Sequence, residues 1–277
     1  AEGLIHGYQQ EREALVVGIH GPWGSGKSSL VNLIAKVIAQ YYHKTEEELG
    51  IVLKFNPWMF SGQQELQLIF LRELAARLYA KTEAAQQVAK QVNQLLGRLE
   101  ALAKPITSWI PYGGLAQQAI GFGQKATEQF SSPQDVQRLK EKIDAALQKS
   151  NIRLYITIDD IARLTFAEIE HIFQLVKLNA NFANTVFILA YDQEVVVNAL
   201  DQKFAGRGQQ YLEKIVQVDY GLPKINRHTL KALLRERMGV VLEGLGVQLS
   251  LEEGIEAGSE SWKGVEGYIR TVRDIYR

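Results

Sequence analysis

The chain has 277 residues, with 31 basic and 31 acidic side chains, no cysteine and a hydrophobic fraction of 46%. This composition excludes a disordered chain, and the lack of cysteine excludes disulfides, thiolate catalysis and cysteine-ligated metals. The balanced charge does not indicate nucleic acid or an anionic membrane as a partner. Without disulfides or a secretion signal at its start, the chain is predicted to be cytoplasmic.

The first predicted elements are a strand, a glycine-rich turn and a helix. Residues 14–20 form an apolar run of strand character, and the apolar residues after position 29 recur at helical spacing. Between them, residues 21–29 read Gly-Pro-Trp-Gly-Ser-Gly-Lys-Ser-Ser and match the phosphate-binding pattern Gly-x-x-x-x-Gly-Lys-Ser/Thr. A chance glycine-rich turn is the alternative, and the two flanking elements weigh against it.

Each part of this loop suits a nucleoside triphosphate. Gly21, Gly24 and Gly26 let the backbone turn closely around a phosphate with its N–H groups pointing inward. Lys27 is placed to reach the β and γ phosphates, and the Ser28 hydroxyl to join the coordination shell of Mg²⁺. The residues predicted to bind nucleotide here are Gly21, Pro22, Trp23, Gly24, Ser25, Gly26, Lys27, Ser28 and Ser29.

The stretch between this loop and the next chemical motif is mostly helical. A second strand starts near residue 50 and is closed by Asn56 and Pro57, and residues 63–102 favour a helical hairpin over a coiled coil. Residues 105–124 carry no charge but contain two prolines, four glycines and three glutamines. They are compatible with a membrane span, a membrane-surface or partner-binding segment, or a loop, and the interruptions weigh against a span.

A pair of acidic residues follows the next strand. Residues 134–150 predict an amphipathic helix, and residues 152–158 are nearly all apolar, as a central parallel strand is. The strand ends in Asp159 and Asp160. We expect Asp159 to hold Mg²⁺, usually through water, and Asp160 to orient or deprotonate the attacking water. The alternative is an acidic turn that caps the next helix, and it does not exclude the magnesium role.

The rest of the chain continues the alternation of strands and helices. Residues 166–179 predict a helix, residues 185–191 a strand ending at Asp192, and residues 215–218 a last strand. This alternation predicts an α/β fold of the P-loop NTPase type, with a parallel sheet flanked by helices. We expect an NTPase core at 1–62 and 131–220, a helical insertion at 63–130 and a C-terminal helical lid at 221–277. The chain lacks an initial methionine and ends within a helical pattern, so we expect it to be part of a longer protein.

Four further side chains are candidates for the site. Arg163 follows the acidic pair and is predicted to be catalytic together with Lys27 and Asp160, because charge on the γ phosphate needs several cations. Arg207 and Arg273 are predicted to contact nucleotide, the first from a neighbouring subunit and the second from the lid. A surface or ion-pair role is the alternative for all three arginines. Asp192 is predicted to hold the attacking water, with a helix N-cap as the alternative.

Four sequence stretches together resemble the KAP family of P-loop NTPases. They are the loop at 21–29, Phe-Asn-Pro-Trp-Met-Phe at 55–60, Ile-Asp-Asp-Ile-Ala-Arg-Leu-Thr at 158–165, and residues 172–182 followed by 187–192. The resemblance implies an ATPase with a polar or membrane-spanning insertion between its two motifs, and some members take part in bacterial defence against phage. The family stretch usually runs Asp-Asp-x-Asp-Arg, whereas Ala162 replaces the third aspartate here. This departure implies weaker hydrolysis or coupling with nucleotide binding intact.

Two functions are therefore expected from the sequence. The first is an ATPase that binds Mg-ATP and couples binding or hydrolysis to conformational change or assembly of a homo-oligomer, with partner proteins encoded elsewhere. The second, favoured by Ala162, is a nucleotide-gated scaffold with little hydrolysis. A small-molecule kinase is a weaker third interpretation, because no arginine-rich acceptor lid lies between the motifs. ATP is favoured over GTP because no Asn-Lys-x-Asp stretch follows the later strands.

Overall fold

In this computed structural model, five parallel strands form one sheet with the order β2-β3-β4-β1-β5. The structure describes residues 14–44, 49–62, 65–102, 133–179, 182–223, 225–244 and 271–275. The strands are β1 (Leu15–His20), β2 (Leu49–Phe55), β3 (Ile152–Ile158), β4 (Thr185–Tyr191) and β5 (Val218–Gly221). Because all strands run the same way, their carboxyl ends meet at one edge, where ligands bind in open α/β sheets.

Helices connect the strands and cover the sheet. The helices are α1 (Lys27–Lys44), α2 (Leu66–Tyr79), α3 (Glu83–Leu102), α4 (Pro133–Lys149), α5 (Phe166–Asn179), α6 (Gln193–Phe204), α7 (Gly208–Glu213), α8 (Arg227–Gly244) and α9 (Val272–Ile275). Two short 3-10 helices follow strands: Pro57–Phe60 begins after Asn56 at the end of β2, and Ile161–Arg163 begins after Asp160 at the end of β3. The predicted α/β fold is confirmed.

The buried core lies on both faces of the sheet, as a doubly covered parallel sheet requires. Every residue of β4 is buried. Its alternate side chains divide between the faces: Val186 and Ile188 pack with α1, while Phe187 and Leu189 join the larger cluster on the other face. Burial on both faces explains why β3 and β4 are almost entirely apolar.

The helices between the two motifs belong to the larger of these clusters. Leu71 and Leu78 of α2 and Val92 of α3 are buried in the same cluster as Ile156 of the central strand β3. The uncharged segment 105–124 lies outside the described residues. No helix in the described part of the chain combines the length and apolar character needed to cross a membrane.

The predicted last strand was wrong in its position. Ile215 and Val216 are buried, but both donate backbone N–H bonds to Leu212 at 2.9 Å and so belong to the turn that ends α7. The strand β5 begins only at Val218, and all four of its residues are exposed at the sheet edge. The buried apolar residues of this stretch lie in the turn before the strand. The residues of the edge strand are exposed and contribute little to the core.

The C-terminal helices form a small cluster of their own and reach the first loop. Leu230 and Leu234 of α8 are buried together with Ile275 of α9. A Cβ added to Gly24 would lie 2.8 Å from Thr271 Cγ2, so the start of α9 lies directly against the glycine-rich loop. The helical C-terminal part of the chain therefore has a contact with the phosphate-binding motif.

Candidate functional site

The loop 21–29 lies at the carboxyl end of β1 and leads into α1. Gly24 and Gly26 have φ angles of 81° and 94°, which residues with a Cβ rarely adopt, so both glycines are required by the turn. The turn is closed by a bond from Ser25 N to Pro22 O at 3.2 Å, and α1 begins with a bond from Leu30 N to Gly26 O at 2.9 Å. The positive end of the α1 dipole thus faces the space inside the loop.

Lys27 folds back over this loop. Its Nζ donates to the carbonyl oxygens of Gly21 at 2.7 Å and Pro22 at 3.0 Å. A flexible ammonium that donates to carbonyl oxygens can exchange these bonds for the stronger charge-assisted bonds of a phosphate. The loop therefore holds its cation beside the anion site.

The buried hydroxyl of Ser25 indicates whether the loop suits an anion. Ser25 Oγ is buried and has no hydrogen-bond partner among the described residues. A Cβ on Gly21 would come within 2.9 Å of the same oxygen, so glycine keeps the space around it open. An unpaired buried hydroxyl costs about 1 to 3 kcal/mol, and a phosphate oxygen would remove that cost by accepting a hydrogen bond from it. The loop therefore fits a bound phosphate.

The acidic pair lies at the same edge of the sheet as the loop. β4 separates β3 from β1, which puts the ends of these two strands about 10 Å apart, a span that a bound triphosphate and its cation can bridge. Asp159 N donates to Phe55 O at 3.3 Å, and Asp159 Oδ1 accepts from Asp160 N at 2.8 Å. These bonds fix the turn after β3 and the direction of the Asp159 carboxylate.

The donor set suits Mg²⁺ that is shared with phosphates. Within the described ranges, histidine and acidic side chains form no cluster of three or more that could hold a metal ion. Mg²⁺ commonly takes one or two carboxylates and completes its shell with phosphate oxygens and water. Ser28 and Asp159 provide one hydroxyl and one carboxylate of that kind.

Asp160 is held by two side chains from different elements. Its backbone is left-handed, with φ 60° and ψ 23°, an uncommon conformation for a residue other than glycine. Asp160 Oδ1 pairs with Arg163 Nε at 2.9 Å, and Oδ2 accepts from Asn56 Nδ2 at 3.1 Å. Both carboxylate oxygens are therefore oriented, one by the 3-10 helix after β3 and one by the turn after β2.

The guanidinium of Arg163 lies over two indole rings. Its Cζ is 5.1 Å from the ring centre of Trp23 and 4.9 Å from that of Trp58, both within the range of cation–π attraction. Trp23 belongs to the phosphate loop and Trp58 to the turn after β2. The stack therefore joins three segments of the carboxyl edge through one arginine.

A buried glutamate anchors the turn that carries Trp58. Glu168 Oε1 accepts from Ser61 Oγ at 2.8 Å and Gly62 N at 2.6 Å. Its Oε2 accepts from Thr165 N and Thr165 Oγ1, both at 2.8 Å. Burial alone would raise the pKa of this carboxyl, but these hydrogen bonds lower it to about 2. Glu168 thus ties the turn after β2 to the start of α5 as an ionised carboxylate.

We expect Glu168→Gln to lower the free energy of unfolding at pH 7 by about 2 to 3 kcal/mol, because the new amide N–H₂ would face groups that are themselves donors. A carboxyl whose pKa is lowered on folding stabilises the fold above its unfolded pKa and loses this effect as the pH falls through the folded value. Urea unfolding of the wild type should therefore show a loss of stability between pH 4.5 and about 2 that is smaller in Glu168→Gln. The exposed Glu73→Gln on α2 is the control, and an equal loss of stability in both variants would contradict the role of Glu168.

A second anchor lies beneath the phosphate loop. Tyr191 Oη donates to Asp219 Oδ1 at 3.0 Å, and His20 Nε2 lies 3.3 Å from Asp219 Oδ2. Burial and the neighbouring Asp219 raise the pKa of Tyr191, which keeps its proton available for that bond. The contact joins β4, β1 and β5 one residue before the loop begins at Gly21.

The structure brings some of the other predicted residues to this edge and leaves others apart. Asp192 ends β4 between the two motifs, and its Oδ1 accepts from Val195 N at 3.5 Å as the N-cap of α6. Arg207 is exposed before α7, and the described contacts do not join it to the loop. Arg273 lies in α9, two residues beyond Thr271, and its side chain lies outside the described residues.

Sequence reasoning missed Asn56 and Glu168. Asn56 reaches Asp160 only because β2 and β3 are neighbours, which brings together residues far apart in the chain. For Glu168 a local signal existed: Thr165-Phe-Ala-Glu168 has the spacing of a capping box, and Glu168 N donates to Thr165 Oγ1 at 3.4 Å. The spacing predicts the helix start but not the bonds to Ser61 and Gly62.

The parallel sheet and the loop at its edge define a P-loop nucleoside-triphosphate-binding protein. More narrowly, the chain belongs to the KAP family, since the KAP family P-loop domain matches residues 4–277. The resemblance drawn from the sequence motifs is thereby confirmed.

Relatives and solved structures extend the comparison. The chain is similar to the phage T7 exclusion protein of Escherichia coli, with 26% identity over 260 residues that cover 84% of this chain and 33% of that protein. It thus spans about a third of this relative. The Aeropyrum pernix ORC1 protein in complex with DNA has a TM-score of 0.40 and 13% identity, over 86% of this chain and 47% of that one. The ORC2 protein of the same organism, in ADPNP–ADP complexes, has a TM-score of 0.43 and 12% identity, over 84% of this chain and 49% of that one.

Proposed function

We propose that the chain is an ATPase that binds Mg-ATP in the loop 21–29 and couples binding or hydrolysis to a conformational change or to assembly. The observation that carries this proposal is the arrangement of the carboxyl edge. The loop holds Lys27 folded over an anion site that contains the unpaired Ser25 hydroxyl, and the acidic pair lies at the same edge. A binding site for a triphosphate and an acidic site for its cation are the two parts that phosphoryl transfer needs.

Each residue then has one task. Lys27 and the loop N–H groups bind the β and γ phosphates, and Ser28 and Asp159 hold Mg²⁺, which neutralises charge on the phosphates when bound. Asp160, with both oxygens oriented, and Asp192 at the end of β4 hold the attacking water in place. Arg207 and Arg273 are proposed as further cations, Arg207 from a neighbouring copy in a homo-oligomer.

The C-terminal lid supplies a route from nucleotide to conformation. Thr271 lies against Gly24, so a movement of the loop on binding phosphate would press on the start of α9. Ile275 carries that movement to α8 through its buried contact with Leu230 and Leu234. We propose that residues 221–277 act as the moving lid, 1–62 and 131–220 as the core, and 63–130 as the insertion.

The test is phosphate release measured together with molecular mass. Purified protein should release phosphate from ATP only with Mg²⁺, and its mass by light scattering should change between nucleotide-free, ADP and ATP conditions. Release of phosphate without any change in mass or in lid protection from hydrogen exchange would remove the coupling part of the proposal. A mass change without phosphate release would favour the scaffold function instead.

Ala162 is the observation that favours that second function, a nucleotide-gated scaffold with little hydrolysis. It lies in the 3-10 helix between Asp160 and Arg163, half-buried, where the family usually has aspartate. We expect Ala162→Asp to raise the rate of phosphate release severalfold while the affinity for ATP stays within about threefold. Equal turnover in both proteins would show that this position does not limit hydrolysis.

A role in defence against phage is proposed from the E. coli relative, whose name describes exclusion of phage T7. The chain covers only 33% of that protein, and we propose that partner proteins encoded elsewhere sense the phage or carry out the response. We place this activity in the cytoplasm, where ATP and Mg²⁺ are available. Plaque counts with wild type and Lys27→Ala would test it.

A further inference from the structure

We propose that Arg163 is a positioning residue that sets the carboxylate of Asp160 and, through Trp23, makes this setting depend on the phosphate loop. If Arg163 bound the nucleotide directly, its guanidinium would be expected to point at the phosphates. Here its Nε pairs with Asp160 Oδ1 at 2.9 Å, and its Cζ lies over the rings of Trp23 and Trp58, at 5.1 and 4.9 Å from their centres. The name indole stack is used below for Trp23, Arg163 and Trp58.

Burial does not explain the indole stack. Trp23 is 55% exposed and Trp58 is 47% exposed, so neither ring adds much to the core. Both rings contact a planar cation through their faces, and a guanidinium fits this position where the compact ammonium of lysine would not. The stack therefore restricts the Arg163 side chain, and through the ion pair it restricts the Asp160 carboxylate.

The stack links the phosphate loop to the acidic turn. Trp23 lies between Pro22 and Gly24 of the loop, and the positive φ of Gly24 fixes the turn that presents its ring. On the other side, Trp58 N donates to Asn56 Oδ1 at 3.1 Å, and Asn56 Nδ2 donates to Asp160 Oδ2 at 3.1 Å. Asp160 is thus held by Arg163, which contacts Trp23, and by Asn56, which is bonded to Trp58. A change in the loop would reach Asp160 through Trp23 and Arg163.

The first experiment measures the stack without nucleotide or turnover. The protein contains four tryptophans, so labelling with 5-fluorotryptophan gives four ¹⁹F resonances that single Trp→Phe variants assign. We expect Arg163→Met to shift the resonances of both Trp23 and Trp58, because it removes the cation that lies over their faces. Arg138→Met, which changes an exposed arginine on α4, should leave them in place. Unmoved resonances in Arg163→Met would overturn the stack.

The second experiment separates positioning from direct contact with phosphate. If Arg163 acts through Asp160, Arg163→Met should lower kcat by roughly a hundredfold, as misplaced catalytic groups do, with KM for ATP changed by less than about threefold. Trp58→Phe, which keeps an aromatic face, should retain most activity, while Trp58→Leu should lose it. A rise of more than about tenfold in the Kd for ATP, but not for ADP, would assign Arg163 to the γ phosphate and overturn positioning.

The link to hydrolysis rests on the ATPase function proposed above, whereas the stack itself does not. In the wild type, Mg-ATP should shift the ¹⁹F resonances of Trp23 and Trp58 together, and in Arg163→Met the shift at Trp58 should be lost. If the wild type bound Mg-ATP without releasing phosphate, the proposed hydrolysis would be wrong. The resonances of Trp23 and Trp58 would still test whether Arg163 links the phosphate loop to the turn after β2. Independent shifts of the two rings would overturn it.

Discussion

Lys27→Ala is expected to abolish the stabilisation of the protein by ATP. The wild type at a nucleotide concentration about 100 times its Kd should gain about 2.7 kcal/mol, which raises the melting temperature by about 5 °C. Lys27 supplies the loop ammonium, held at 2.7 Å from Gly21 O, and alanine leaves the phosphates without that charge. Differential scanning fluorimetry with and without Mg-ATP measures the effect.

The control for this variant lies on the same helix. Lys36 is exposed on α1, so Lys36→Ala removes an equal charge without touching the loop, and its ATP-dependent shift should equal that of the wild type. Loss of the shift in both variants would indicate a general effect of charge. Retention of the full shift in Lys27→Ala would remove Lys27 from the site.

Asp159→Asn is expected to remove the contribution of Mg²⁺ to nucleotide binding and to lower any hydrolysis by about a hundredfold or more. The substitution is conservative in shape, since the amide oxygen can still accept from Asp160 N, a bond of 2.8 Å in the wild type. What it removes is the negative charge that attracts the cation. The melting shift caused by ATP should therefore become the same with Mg²⁺ and with EDTA.

A matched control is available on α4. Asp144 Oδ1 also accepts a backbone N–H, from Ala183 at 2.6 Å, so Asp144→Asn makes the same chemical change away from the carboxyl edge. That variant should keep the difference between Mg²⁺ and EDTA. If Asp159→Asn kept the difference as well, the magnesium site would have to be formed by other residues.

The parts of the fold that the sequence predicts are those set by local patterns. Residues 152–158 and 185–191 are predicted as strands, and these are the bounds of β3 and β4. The prediction is accurate because strands buried on both faces are nearly all apolar and lie between polar turns. The loop 21–29 was predicted for a similar reason, since its glycines and Lys27 act within one turn. The shape of this loop is therefore set by residues that are close together in the sequence.

The parts that the sequence does not predict depend on contacts between distant segments. Asn56 meets Asp160 because β2 pairs with β3 along seven residues, and nothing near either position indicates that pairing. Nothing in the sequence near Trp23 or Trp58 indicates that both rings, each about half-exposed, lie over Arg163. The start of β5 was also wrong, because the buried apolar residues Ile215 and Val216 lie in the turn before the strand, whereas all four strand residues are exposed.

The central claim is that a triphosphate binds the amides and ammonium of the loop while the acids after β3 hold its divalent cation. Isothermal titration calorimetry of the wild-type protein with Mg-ATP tests it most directly. The account predicts saturable heat with one nucleotide per chain, weaker binding in EDTA and none in Lys27→Ala. A titration that shows no heat at saturating Mg-ATP, with folding verified by circular dichroism and a second binding assay equally negative, would contradict it.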